Sequence, residues 1–355
     1  MWRVLCLLLL LASAGWRDAV AATPRAGIEA ALALPEELRL ALPADVLDRR
    51  IEDAVRMQRL VDFMIGDDGL ALRYQEQPTF GIAESFAQRR VNCLSFTMMF
   101  IAIARAAGLT AYAQASDDAL AMRVLDDTLY RVTHVNAGIQ AAGERYTVDV
   151  GWQAILAGRA PQRISDARLV GSLHNNHAVE RLLAGDHAGA TRAIEAALTL
   201  DATSATLWSN AGVLQWRAGQ ADAAERAYAR ALTLQRDHVG ALSNMVALHR
   251  SRGMPRQAAS YERRLQRVQA TDPFSQFLIA QSLAASGAHR EAIVHYRRAI
   301  RLLPEEPRFH RSLAEAYQQQ GKLDAAERAR ERASQLEAGQ ASRRGIRDAP
   351  APGPG

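Results

Sequence analysis

The sequence predicts an α+β domain followed by an all-α solenoid, and three observations carry that prediction. One is a helix opened by Cys93 whose apolar residues occupy every face. The second is a change to strand-like runs immediately after it. The third is a glycine that returns every 34 residues through the second half of the chain.

The helix comes first because the domain must be built around it. Asn92 is a good N-cap and Gly108 a good C′ residue, and Leu94 to Ala107 is apolar on all sides, so the helix belongs inside a core. Cys93 then sits in the first turn, where unpaired N–H groups and the helix dipole favour an anion, and a thiolate is the anion cysteine supplies.

From the N-terminus, Met1-Trp2-Arg3 is a short basic segment, Val4 to Ala14 is apolar, and Ala19 to Ala21 gives an Ala-x-Ala cleavage signal. Residues 1–22 are expected to be a secretory signal peptide, too short in its apolar part to span a bilayer, which implies a periplasmic or secreted protein. Of the two cysteines, Cys6 lies inside that signal, so the mature chain is expected to carry one thiol and no disulfide. The net charge of +5 is uneven: residues 171–355 carry 25 Lys+Arg against 18 Asp+Glu. The basic residues are spread along helices without interleaved aromatics, which reads as a solvated scaffold rather than a nucleic-acid surface.

Residues 24 to 90 read as helical. Asp45 to Ile65 is expected as one helix broken by Gly66-Asp67-Asp68-Gly69, and Thr79 to Ala87 as a short helix leading to the Cys93 turn. After Gly108, strands are expected at Leu109 to Ala115, Leu129 to Ile139 and Arg145 to Val150, with Ser116-Asp117-Asp118 as a loop. A turn centred between Ala141 and Ala142 pairs Ile139 with Glu144 and places His134 directly opposite Asp149, within hydrogen-bonding reach.

The chain thus offers Cys93 on a helix and a His134/Asp149 pair on adjacent strands. In a triad, His134 takes the Cys93 proton and later returns it to a leaving group, while Asp149 fixes the imidazole. The Cys93 N–H and, as a weaker candidate, the Gln88 side chain would serve an oxyanion. Residues 70 to 155 resemble the bacterial transglutaminase-like domain of the papain-like cysteine-hydrolase group. The resemblance rests on Asn92-Cys93-Leu94-Ser95-Phe96, Ala104-Arg105-Ala106-Ala107-Gly108-Leu109, Thr133-His134-Val135 and Val148-Asp149-Val150. It implies an α+β papain/transglutaminase-like fold and a cysteine hydrolase acting on peptide or amide bonds through an acyl-thioester. The chain departs from the family after the His, with Val135-Asn136 for Ala-Trp, and after the Asp, with Val150-Gly151 for Pro-Thr, which leaves substrate class open. Two alternatives stand beside the hydrolase: an acyltransferase that crosslinks glutamine to an amine, and a non-catalytic binding scaffold.

In the second half, Gly185, Gly219, Gly253, Gly287 and Gly321 are each followed five residues later by alanine: Ala190, Ala224, Ala258, Ala292 and Ala326. The pattern resembles the tetratricopeptide repeat, in five copies over 171–204, 205–238, 239–272, 273–306 and 307–340. Tyr228 and Tyr296 hold the large position of the second helix, whereas Glu262 and Arg330 depart from it, so a loose third repeat and a polar fifth are expected. Such a solenoid implies a protein or peptide partner. His174 and His177 read as surface residues rather than metal ligands, and no metal or cofactor is expected. The expected division is therefore a signal at 1–22, an α+β domain over 23–170, repeats over 171–340 and a disordered tail over 341–355.

Overall fold

The computed structural model describes residues 24–125, 128–141, 143–149 and 162–343. The signal at 1–22, Val150 and residues 344–355 lie outside them. Four helices open the described chain: α1 (Pro24–Ala31), α2 (Glu36–Leu40), α3 (Ala44–Leu47) and α4 (Asp53–Ile65). The single helix expected over Asp45 to Ile65 is two, because Asp48 takes an extended ψ of 103° and its Oδ1 accepts from the Arg50 N–H at 3.0 Å. That local turn competes with helical pairing.

Then follow β1 (Arg73–Tyr74), α5 (Ile82–Gln88), β2 (Arg90–Val91) and α6 (Cys93–Ala106). Asn92 caps α6, its Oδ1 accepting from the Ser95 N–H at 3.0 Å, and every residue from Leu94 to Ala104 is buried. At the other end Gly108 has φ +79°, Leu109 N–H reaches Ala104 O at 2.8 Å and Gly108 N–H reaches Arg105 O at 3.0 Å. Those two bonds are the Schellman pattern, in which a left-handed residue lets the last carbonyls be satisfied.

Four antiparallel strands follow in the order β5-β4-β3-β6: β3 (Thr110–Leu125), β4 (Thr128–Ala141), β5 (Glu144–Val148) and β6 (Gln162–Arg163). One core cluster joins residues of α2 to α4, nearly the whole of α6, Ala111, Ala113 and Ala115 of β3, and Val135, Ala137 and Ile139 of β4. The period-two spacing shows one face of the sheet turned toward the helices.

Two details differ from the sequence expectation. Ser116-Asp117-Asp118 lies within β3, at a register break between Ser116 and Ala121, so extra residues are absorbed as a bulge in a continuous strand. The β4–β5 hairpin is also shifted by two residues. Ile139 pairs with Tyr146 and Ala141 with Glu144. A two-residue hairpin loop needs positive φ, and Gly143 supplies it at +80°, so the turn centres one residue later than expected.

The rest is helical: α7 (Asp166–Leu183), α8 (His187–Leu200), α9 (Ala205–Arg217), α10 (Ala221–Leu234), α11 (Val239–Ser251), α12 (Pro255–Thr271), α13 (Pro273–Ala285), α14 (His289–Leu302), α15 (Pro307–Gln319) and α16 (Leu323–Arg343). They form five antiparallel pairs, and each recurring glycine sits between the partners of a pair at a φ of 68° to 81°. Positive φ is why glycine returns there. The alanines five residues on are all fully or nearly fully buried, between 0% and 2% exposed, where small side chains let helices approach. Gly212 serves the same purpose within a pair, since a Cβ there would lie 2.5 Å from the Tyr228 ring.

Helix α7 runs across the position where the sequence places the domain junction. Its Leu169 and Leu173 belong to the core around α6, while Ala178, Val179 and Leu182 begin the repeat core. The repeat core is itself in two clusters, one ending at Leu248 with Tyr261, Leu265 and Val268 against it, the other starting at Phe274. The division falls at the third repeat, where Ala258 is the only buried residue of α12. Helix α16 extends to Arg343, three residues into the stretch expected to be disordered. Among the described residues no helix is long and apolar enough to cross a membrane.

Candidate functional site around Cys93

Cys93 is the first residue of α6, and the chain enters it through β2, which pairs in parallel with β1: Arg73 with Arg90 and Tyr74 with Val91. That pairing carries Tyr74 to the thiol, its hydroxyl 3.7 Å from Sγ. Cys93 is half-buried. The Tyr74 hydroxyl is held well above its ordinary titration range, first by desolvation, then by the neighbouring sulfur and by the charges of Glu76 and Asp149. Cys93 and Asp149 therefore act on the same phenol.

The cap of α6 is tied to the preceding segment. Asn92 Nδ2 donates to Thr79 Oγ1 at 2.8 Å, Ser95 Oγ donates to Phe80 O at 2.7 Å, and the Phe80 N–H donates to Ser95 Oγ at 3.1 Å. Thr79 is gripped in turn by α7. Its N–H donates to Glu180 Oε1 at 2.7 Å, Asn176 Nδ2 donates to its Oγ1 at 3.2 Å, and His177 Nε2 donates to its carbonyl at 2.9 Å. A second tie joins Arg105 of α6 to Asp166 at the start of α7, two bonds of 2.7 and 2.9 Å.

His134 lies in β4, where it pairs with Ser116 of β3, and its side chain falls outside the described residues. Next to it, the Val135 carbonyl accepts from Thr97 Oγ1 at 3.3 Å, so this part of β4 touches α6 one turn beyond Cys93. The hairpin shift moves Asp149: continued by one pair, the observed register sets it opposite Asn136 rather than His134. Gln88 is the exposed last residue of α5.

Sequence reading missed Tyr74, because a tyrosine in a short extended segment carries no periodic signal. It also placed His174 and His177 at the surface. Instead His174 is half-buried, with its pKa lowered first by desolvation and then by His177, and His177 holds Thr79.

Residues 205–238 match the family model described as Tetratricopeptide repeat, and residues 280–321 match one described as TPR repeat. The second half of the chain is thus a tetratricopeptide-repeat solenoid, the class of scaffold that presents surfaces to proteins and peptides. No curated protein matches. Among solved structures, a crystal structure of MamA is 19% identical over 46% of this chain and 96% of that one, with a TM-score of 0.29. MamA from Desulfovibrio magneticus RS-1 is 17% identical over 48% and 96%, at 0.28. YrrB, titled a TPR protein with an unusual peptide-binding site, is 17% identical over 47% and 86%, at 0.26.

Proposed function

We propose that this chain is a protein-interaction scaffold, in which a tetratricopeptide solenoid over residues 171–340 is anchored on an α+β unit and receives a protein or peptide partner. The observation that supports this reading is the run of five helix pairs at the 34-residue period, two stretches of which match repeat models. Export through residues 1–22, to the periplasm or the exterior, belongs to the same proposal. The test is to probe a peptide array with the mature chain. The expected result is a reproducible subset of bound peptides sharing a sequence pattern, and uniform background would overturn the reading.

A second reading is favoured by one observation: a half-buried thiol opening a capped helix, with a hydroxyl 3.7 Å from its sulfur. In that reading the α+β unit is a transglutaminase-like cysteine hydrolase. The Cys93 thiolate attacks an amide carbon, the amine leaves with a proton from His134, and water resolves the thioester. Resolution by an amine instead makes the unit an acyltransferase. Asp149, set by the register opposite Asn136 and so diagonal to His134 on the same face of the sheet, would orient His134 from there, and the Cys93 N–H with Gln88 serves the oxyanion. The pH dependence of Cys93 alkylation tests it. Fast labelling well below about pH 8.5, slowed in His134→Ala, supports the triad; an ordinary thiol profile unchanged by the mutation removes it.

A further inference from the structure

The first three repeats do not offer their inner side freely. Strand β4 lies against α7, α9 and α11, the first helix of each of those pairs. The burial of those helices agrees: Ser209, Asn210 and Asn244 are polar yet 0% to 1% exposed, and α11 is buried nearly all round. In α15, by contrast, burial follows one face, with Phe309, Leu313 and Ala316 covered. The first helices of the pairs are thus less covered toward the far end of the solenoid.

A cavity of about 400 Å³ lies there between α14, α15 and α16. Arg297 and Arg301 stand one turn apart on α14, Arg328 and Arg332 one turn apart on α16, and Leu313 and Tyr317 of α15 line it between them. All four arginines are exposed. Arg332 comes within 4.0 Å of Glu305, whereas Arg297, Arg301 and Arg328 make no ion pair among the described residues. Two rows of like charge facing one cavity repel each other, and an anion between them relieves the repulsion. Guanidinium forks suit carboxylates, which they bind through two parallel hydrogen bonds. The apolar lining asks for something different from a bare anion: a side chain to cover it.

We propose that this cavity seats an acidic peptide segment bearing a large apolar side chain, the carboxylates meeting the two arginine rows and the apolar group meeting Tyr317 and Ile300 of α14, which also lines the cavity. The proposal rests on the scaffold reading and names the partner's chemistry. The chain's own C-terminal segment is a poor occupant, since Arg344 and Arg347 outnumber Asp348. A nucleic acid would satisfy the arginines but not the aliphatic lining.

The test is fluorescence anisotropy on the mature chain. The probe is a fluorescein-labelled peptide of repeated Glu-Glu-Leu, compared with a peptide in which Lys replaces Glu, one in which Gly replaces Leu, and a single-stranded oligonucleotide. The Glu-Glu-Leu peptide is expected to bind most tightly, to weaken about tenfold or more with Arg297→Glu/Arg328→Glu, and to be unaffected by Arg226→Glu on α10. Arg301→Gln/Arg332→Gln, which reverses no charge, is expected to weaken it in the same direction. Wild-type affinity in both double variants, undiminished binding of the peptide with Gly for Leu, or tighter binding of the oligonucleotide overturns the proposal. Preference for the lysine peptide overturns it while leaving the scaffold standing, and absence of binding by every peptide on the array as well brings down both.

Discussion

Asn92 and Thr79 are joined by a 2.8 Å hydrogen bond that links the cap of the Cys93 helix to the first repeat helix, because Glu180, Asn176 and His177 of α7 all hold Thr79. The amide of Asn92 thus has two duties. Its oxygen caps α6 through Ser95, and its nitrogen reaches Thr79. Substitutions separate them. Asn92→Asp keeps the cap and loses the donor, whereas Asn92→Ala loses both. Denaturant unfolding is expected to rank wild type above Asp above Ala, with the alanine variant lower by about 1 to 2 kcal/mol. Equal stability of Asp and Ala would show that the cap contributes nothing.

Gly212 and Tyr228 make a steric prediction inside the second repeat. A Cβ at Gly212 would sit 2.5 Å from the buried ring, so Gly212→Ala is expected to cost roughly 1 to 3 kcal/mol by overpacking. The double variant Gly212→Ala/Tyr228→Leu should recover part of that loss, measurable as a positive coupling in a double-mutant cycle.

His174 predicts acid sensitivity. Desolvation, and after it His177, lowers its folded-state pKa from 6.5, so the unfolded chain binds more protons as pH falls. Its contribution is present above about pH 6.5 and is lost as pH drops through the folded value. Thermal melting at pH 5.5 and 7.5 should show a gap that His174→Gln narrows.

Tyr74 predicts the opposite window. Its raised pKa keeps the phenol protonated in the folded state, so stability is present below about pH 10 and declines as pH rises toward the folded value, because the unfolded chain then releases the proton first. Tyr74→Phe should remove one strongly alkaline step from the tyrosinate absorbance titration and make alkaline unfolding less steep.

The parts of this architecture that were legible in sequence are those with a local cause. The repeat glycines announce themselves because each needs positive φ at the same place in its pair, and α6 is marked by Asn92 and Gly108 at its two ends. The hairpin register was not legible, although Gly143 held the clue: the turn follows the residue that accepts positive φ, and centring it one residue early displaced the pairing by two. The contacts of Thr79 with His177 and of Tyr74 with Cys93 join segments far apart in the chain and leave no periodicity to read. Ser116-Asp117-Asp118 misled because acidic residues suggest a loop, whereas a bulge accepts them within a strand.

The scaffold and the cysteine-enzyme readings part most sharply at Cys93 itself. The decisive measurement is to take the peptides that the mature chain binds on the array, titrate them into wild type and Cys93→Ala, and recover them for mass spectrometry. A scaffold predicts equal affinity in both proteins and peptides recovered with unchanged mass. Peptides cleaved, deamidated or crosslinked by wild type and left intact by Cys93→Ala would contradict it.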